Sequence, residues 1–342
     1  MNRFAAQDLA ERRVAISEAA ERLQLNPVIV EKDFWVCWML SLLFGQADWN
    51  HILVFKGGTA LSKVFGIIRR FSEDIDLSVS PAALGISEVE VEDAPSRRRR
   101  DEWMDRLEEA CGKWVQQQLQ PELERAITAV IGPRRGGKFW LEFQTDAATH
   151  SPVLLFQYPS VLESGLPYIR RSVRLEFGSL TDQRPAGTHR VTSWLAEQLP
   201  GAFSQRDCEV VALGLERAFW EKATILHVEH HRDLTTVMPS NYSRHYSDVA
   251  AMAVRPEAES AIENKALRER VVDWKSRFFA RAWARYDLAK PGTFRLLPPK
   301  QRLSELRRDY GEMREMFLDP PVSLEKIFET LSRVEKRINQ SQ

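Results

Sequence analysis

At 342 residues the chain is long enough for one large or two medium domains, each with a sizeable core. Its 48 lysines and arginines balance its 48 aspartates and glutamates, which excludes a global field drawing the whole molecule onto nucleic acid and leaves such work to local basic patches. Three widely spaced cysteines, Cys37, Cys111 and Cys208, exclude a disulfide framework or a zinc knuckle and suit a reducing cytoplasm.

The amino-terminal stretch MNRFAAQDLAERR has no apolar signal-peptide core, and the longest apolar run, Phe34 to Phe44, is too short to span a bilayer. The expectation is a soluble cytoplasmic protein with no membrane partner. Helical spacing predicts a first helix from Phe4 to Leu25, stopped by Asn26-Pro27. A second is predicted from Val28 to Phe44, largely buried because aromatic and aliphatic residues dominate it. Glu31, Lys32 and Asp33 at its start read as capping charges.

The next stretch, Val54 to Ser80, carries the chemistry. A short strand, His51 to Phe55, breaks at Gly57 and Gly58, resumes as a helical run from Thr59 to Ile67 and ends in a strand from Glu73 to Val79. In that strand Ile75, Leu77 and Val79 alternate with Asp74, Asp76 and Ser78, so a period of two puts both aspartates on one face. Two carboxylates side by side repel unless a cation lies between them. Mg²⁺, or Mn²⁺ in its place, suits carboxylate oxygen and leaves room for phosphate. Upstream, the two glycines let the backbone approach a ligand, and Thr59 is expected to cap a helix whose free N–H groups favour phosphate. Either piece alone is commonly a turn or a solvated face; together they point to a nucleoside triphosphate as substrate.

A polar connector is predicted from Pro81 to Ser96, followed by Arg97 to Arg100, which reads either as a solvated helix start or as an RNA-contacting patch. Glu102 to Ile131 has the pattern of a long amphipathic helix, and Pro133 to Lys138 is a basic turn expected at the rim of the site. Strands are predicted over Phe139–Phe143, Val153–Tyr158 and Ile169–Phe177. In the last of these Glu176 is the expected third acid, ligating a second ion or accepting a proton from the attacking hydroxyl; the alternative is a surface glutamate paired with Arg174 or Arg171.

Beyond a short strand at Glu209–Ala212 the pattern turns helical. The helix from Gly214 to His230 carries Lys222, which is either solvated or set to offset triphosphate charge. His227, His230 and His231 lie at helical spacing, but the H-E-x-x-H pattern of a zinc site is missing. Ser243 to Met252 forms a further helix, with Arg244 and Asp248 at i,i+4. Helices are then predicted over Glu257–Leu288, Pro299–Phe317 and Leu324–Asn339, a block explained by helical packing.

The runs K-G-G-T-A-L-S-K and R-F-S-E-D-I-D-L resemble those of the AbiEii/AbiGii toxin family, MenT-like nucleotidyltransferases of type IV toxin–antitoxin and abortive-infection systems. The resemblance runs from the E-K-D-F-W segment to Asp319, and it is neither a Walker A loop nor a dinucleotide fingerprint. It implies an α+β fold: a polymerase-β-like core of mixed sheet and flanking helices over residues 1–212, and a helical domain over 213–342 that contributes Lys222 and Asp248. It implies a catalytic set of Asp74, Asp76, Glu176, Lys222 and Asp248, with Arg244 partnering Asp248 or phosphate. The expected nucleotide-binding set is Lys56, Gly57, Gly58, Thr59, Lys63, Ser72 and Lys222, and the expected metal ligands are Asp74, Asp76 and Glu176. The implied function is transfer of a nucleoside monophosphate to RNA, with the tRNA 3′ end as the expected acceptor, opposed by a cognate AbiEi-like antitoxin. A protein or small-molecule acceptor, or a non-catalytic nucleotide-binding role, is the alternative.

Overall fold

The computed structural model describes residues 1–46, 48–87, 96–147, 149–163 and 169–340. Residues 88–95 of the predicted polar connector lie outside them. The chain divides into a first unit, Met1–Val64 with Ser72–Leu213, and a second, Phe65–Phe71 with Gly214–Gln342.

The first unit is built on a mixed seven-stranded sheet. Its strands are β1 (Leu53–Lys56), β2 (Asp74–Val79), β3 (Leu141–Thr145), β4 (Pro152–Phe156), β5 (Val173–Gly178), β6 (Ala186–Thr192) and β7 (Asp207–Leu213), in the order β3-β4-β5-β2-β1-β7-β6. β2 runs parallel to β5 and antiparallel to β1, and β1 is parallel to β7. The alternation expected in β2 is present: Ile75, Leu77 and Val79 are fully buried, and Asp74 and Asp76 are partly exposed.

The first unit's helices are α1 (Leu9–Leu23), α2 (Pro27–Phe44), α3 (Gly57–Lys63), α4 (Arg97–Trp114), α5 (Gln120–Ile131) and the short α6 (Trp194–Gln198). α2 is the core's central rod. The Asn26 side chain accepts from the Val28 N–H at 2.9 Å and Pro27 occupies the first turn, where a missing N–H costs nothing. Apolar on all sides, it is buried on all sides. Trp35 and Trp38 pack on Phe156 at ring separations of 5.8 and 5.6 Å, and Trp35 stacks on Tyr158. Among the described residues no helix is long and apolar enough to cross a membrane.

Several boundaries differ from expectation for local reasons. The helix expected from Phe4 is split: one short turn of helix covers Asn2–Ala5, and α1 starts afresh at Leu9, where the Asp8 carboxylate accepts from the Glu11 N–H. The long helix expected to Ile131 is interrupted by a wide turn at Val115–Leu119, just before Pro121, which has no N–H to donate. The helical run expected to reach Ile67 ends at Lys63, and Phe65–Phe71 belongs to the second unit. β6 was not expected at all. Its A-G-T-H-R-V-T sequence has no apolar alternation, because this edge strand pairs with β7 on one side and leaves most side chains partly or fully exposed.

The second unit is helical: α7 (Leu215–His230), α8 (Ser243–Met252), α9 (Pro256–Glu263), α10 (Lys265–Phe278), α11 (Leu303–Glu312) and α12 (Leu324–Gln340). The single helix expected over Glu257–Leu288 breaks at Asn264, whose side chain caps α10 by accepting from the Leu267 N–H at 3.0 Å. α12 buries Leu324, Ile327, Leu331, Val334 and Ile338, the stripe of an amphipathic helix. Phe65–Phe71 docks here as an extended segment, with Phe71 N–H donating to Met316 O at 2.6 Å and Leu318 N–H to Arg69 O at 3.0 Å.

Candidate active site

The strand register brings the predicted acids of the first unit together. Asp74 is level with Arg174 of β5, Asp76 with Glu176, and Lys56 of β1 with Asp76. Side chains level across a ladder share a face, so Lys56, Asp76 and Glu176 form one row and Asp74 and Arg174 the next. Gly57, with φ of 80°, lies directly against this face. A Cβ added there would sit 1.9 Å from Asp76 Oδ2, so only glycine lets the backbone and the carboxylate meet this closely.

Lys56, Gly57, Gly58 and Thr59 all belong to the strand–turn–helix at this corner, but Thr59 does not cap α3. It lies inside the first turn, fully buried, with its hydroxyl bonded to the Asp74 carbonyl and 2.9 Å from Ser72 Oγ. A carbonyl only accepts, so the single Thr59 hydroxyl proton goes to Asp74 O, and the Ser72 hydroxyl donates in turn. Thr59 and Ser72 thus fasten the start of β2 to the glycine turn. Lys56 Nζ lies beside Gly178, 3.9 Å from where a Cβ would stand. Lys63 departs from its expected nucleotide-binding role. Its side chain is 6% exposed, ion-paired to Asp33 at 2.7 Å and set over the Trp194 ring, because α3 turns its far end into the core.

Burial and the neighbouring Glu73 push the Asp74 carboxyl above the usual range, with Lys32 and Arg174 pulling it partly back. Glu176 is held by Arg174 at 2.8 Å, and the same guanidinium reaches Asp146 at 2.7 Å. Among the described residues no three acidic, histidine or cysteine side chains converge into a cage. Two carboxylates on one strand face are the oxygen set that Mg²⁺ takes together with substrate phosphates. The acid-rich face fits such a shared cation.

Behind this face lie the charges expected to cap α2. Glu31, Lys32 and Asp33 are 1–3% exposed, and each binds a different element. Glu31 accepts from Ser160 Oγ and the Val161 N–H, both at 2.7 Å; Lys32 donates to Glu73 and to Arg170 O; Asp33 takes Lys63 and the Trp194 N–H. Lys32 thereby anchors the residue just before Asp74. Truncating Asp33 to Ala strands a buried ammonium and an N–H, and should cost about 3–5 kcal/mol. Lys63→Met leaves the Asp33 carboxylate buried without its ammonium and should cost a similar amount, whereas Asp33→Asn/Lys63→Met removes both charges and should cost clearly less; chemical denaturation of the three variants checks this.

In the second unit, Lys222 and Asp248 are neighbours. Asp248 is fully buried and takes Lys222 Nζ at 2.9 Å. Its other partner is Arg70, bidentate at 3.1 and 2.9 Å, in place of the expected Arg244. Burial opposes Asp248's charge, but Arg70 and Lys222 outweigh it and hold the carboxyl well below its usual range. Lys222 is lowered, because burial and Arg70 together exceed what one shared carboxylate returns. The trio carries one net positive charge, with His245 beside it pushed towards its neutral form by burial and by Lys222. An excess buried cation is suited to an anionic ligand.

The unfolded chain protonates Asp248 before the folded one does. Stability that this group supplies above about pH 4 is therefore lost as the pH falls further. Asp248→Asn should cost about 3–5 kcal/mol at neutral pH and flatten the fall in stability below pH 4, as urea titrations across pH would show. Arg70 was missed as a site residue because no periodicity marks it. The histidines serve structure: His227 accepts from the Arg295 N–H and meets Arg285 O, and His230 meets Leu297 O at 2.7 Å.

The family described as nucleotidyl transferase AbiEii toxin, type IV TA system, matches residues 41–331. That span begins after the buried Glu31–Asp33 triplet and extends beyond Asp319. No curated protein matches the chain. Among solved structures it is similar to MenT4, a nucleotidyltransferase toxin from Mycobacterium tuberculosis H37Rv, at 16% identity over 94% of this chain and 97% of that one, with a TM-score of 0.45.

Proposed function

The chain belongs to the AbiEii nucleotidyl transferase toxin family of type IV toxin–antitoxin systems, and from that premise we propose that it transfers a nucleoside monophosphate from a nucleoside triphosphate to an RNA end, with a tRNA 3′ end as the acceptor. The observation that carries this reading is the acidic face of β2 against the α-carbon of Gly57.

In this reading the triphosphate lies along the turn at Gly57, Gly58 and Thr59, where backbone N–H groups at the start of α3 receive phosphate oxygens. Asp74 and Asp76 would hold the divalent cation, Mg²⁺ or Mn²⁺, which when bound neutralises phosphate charge and fixes the α-phosphate for in-line attack. Lys56, beside Asp76, and Lys222, with its surplus charge, balance the leaving pyrophosphate. Glu176 orients the attacking hydroxyl and accepts its proton once Arg174 transfers its hold to Asp146, which it already touches. Asp248 keeps Lys222 in place through the bond they share. Lys222 and Asp248 are assigned roles in this reaction by the sequence resemblance, and a cognate antitoxin restrains it.

Nucleoside triphosphates labelled at the α-phosphate, incubated with total RNA and Mg²⁺, test the proposal. Label should enter RNA and vanish with Asp76→Asn. Label on protein or on a small metabolite instead would replace the acceptor, and no label anywhere would remove the transferase reading.

A further inference from the structure

The loop between α5 and β3 is firmly built at its base and bare at its tip. Trp140 Nε1 donates to Gly132 O at 2.8 Å, and Arg134 Nη1 donates to Phe139 O at 2.9 Å. The Glu124 carboxylate receives the Trp140 and Leu141 N–H groups at 2.8 and 2.9 Å. Gly132, Gly136 and Gly137, with φ of 77°, 75° and 68°, give the tight path between these anchors. At the tip, Arg135 and Lys138 are exposed, and neither has an ion-pair partner among the described residues. Phe139 beside them is 71% exposed. A lone exposed phenylalanine is ordinary. One on a fixed loop beside exposed cations with no ion-pair partner among the described residues is the arrangement that binds single-stranded nucleic acid, with the ring taking a base and the cations its phosphates.

Position strengthens the case. Register across the sheet aligns Asp74, Arg174, Leu155 and Glu142 in one row, and Phe139 is three residues before Glu142. β3, β5 and β2 run in the same direction, so the loop lies at the sheet end where β2 begins with Asp74. Three strand spacings separate β3 from β2, roughly 15 Å. A short unpaired strand covers that distance.

We propose that the loop at residues 132–139 is the platform for the single-stranded end of the acceptor RNA. A base stacks on Phe139, flanking phosphates meet Arg135 and Lys138, and the terminal hydroxyl is led towards Asp74 and Asp76. This rests on the RNA-acceptor reading above and adds where the strand lies.

Fluorescence anisotropy with a short labelled single-stranded RNA, in EDTA and at several salt concentrations, tests binding apart from catalysis. Phe139→Ala should weaken binding about 5- to 100-fold, while Phe139→Trp restores it. An Arg135→Ala/Lys138→Ala variant should reduce the slope of log affinity against log salt by about 1.4, the share of two phosphates. In labelling assays the same variants should raise KM for RNA and leave KM for the nucleotide unchanged. Wild-type labelling of RNA with all variants unaltered would overturn the platform and leave the transferase reading standing. Equal competition by a duplex of the same sequence would overturn it as well. Failure of the wild type to bind or label any RNA would remove both.

Discussion

Asp76→Asn is expected to lower nucleotidyl transfer by about a thousandfold or more while the protein stays folded. Asparagine has the shape of aspartate, so the contact with the Gly57 α-carbon survives, as does the apolar side of β2. What disappears is the charge that would hold the cation between Lys56 and Glu176 in the sheet row. Such a cation supplies several kcal/mol to the transition state, and each 1.36 kcal/mol is about tenfold in rate. Stability should hold or rise slightly, since removing one carboxylate from an acid-rich face relieves repulsion. Single-turnover transfer measured beside thermal melts separates the two effects. A variant that keeps full activity would deprive Asp76 of its role.

Gly57→Ala is the second large expected effect, and it tests geometry rather than charge. The added methyl would stand 1.9 Å from Asp76 Oδ2 on a backbone whose φ of 80° already disfavours any Cβ. Either the carboxylate or the turn must move, and a displacement of an ångström at a reacting centre costs about a hundredfold. Gly85→Ala supplies the control. Gly85 has a similar φ of 72° with nothing within 4 Å of its would-be Cβ, so it carries the backbone strain without the collision. Both variants should lose about 1 kcal/mol or somewhat more of stability. Only Gly57→Ala should lose activity, and comparable activity losses in both would place the effect in general backbone strain.

What could be read in the sequence was what repeats with a period. The two-residue alternation of β2 announced which side of the strand carries Asp74 and Asp76, and the helix at Ser243–Met252 has the bounds its pattern predicts. The buried stripe of α12 likewise follows its spacing. What could not be read was pairing across distance. Asp248 had an Arg at helical spacing, yet its carboxylate is held by Arg70, 178 residues away, because Phe65–Phe71 folds into the second unit. Lys63 looked free for phosphate until Asp33, 30 residues earlier, claimed it. The Glu31–Asp33 triplet occupies a helix start where charges usually cap; the otherwise largely apolar helix carries it into the core instead, where each charge finds a partner on another element. β6 left no trace because an edge strand with exposed side chains needs no apolar alternation.

The central claim is that Asp74 and Asp76 together take a divalent cation beside the glycine turn. Mn²⁺ titrated into metal-free protein with a non-hydrolysable nucleoside triphosphate, the free ion followed by electron paramagnetic resonance, measures this directly. Wild type should bind Mn²⁺ in a nucleotide-dependent way, and Asp74→Asn and Asp76→Asn, each shown to be folded, should weaken that binding at least about tenfold. Undiminished binding in both variants would contradict the account.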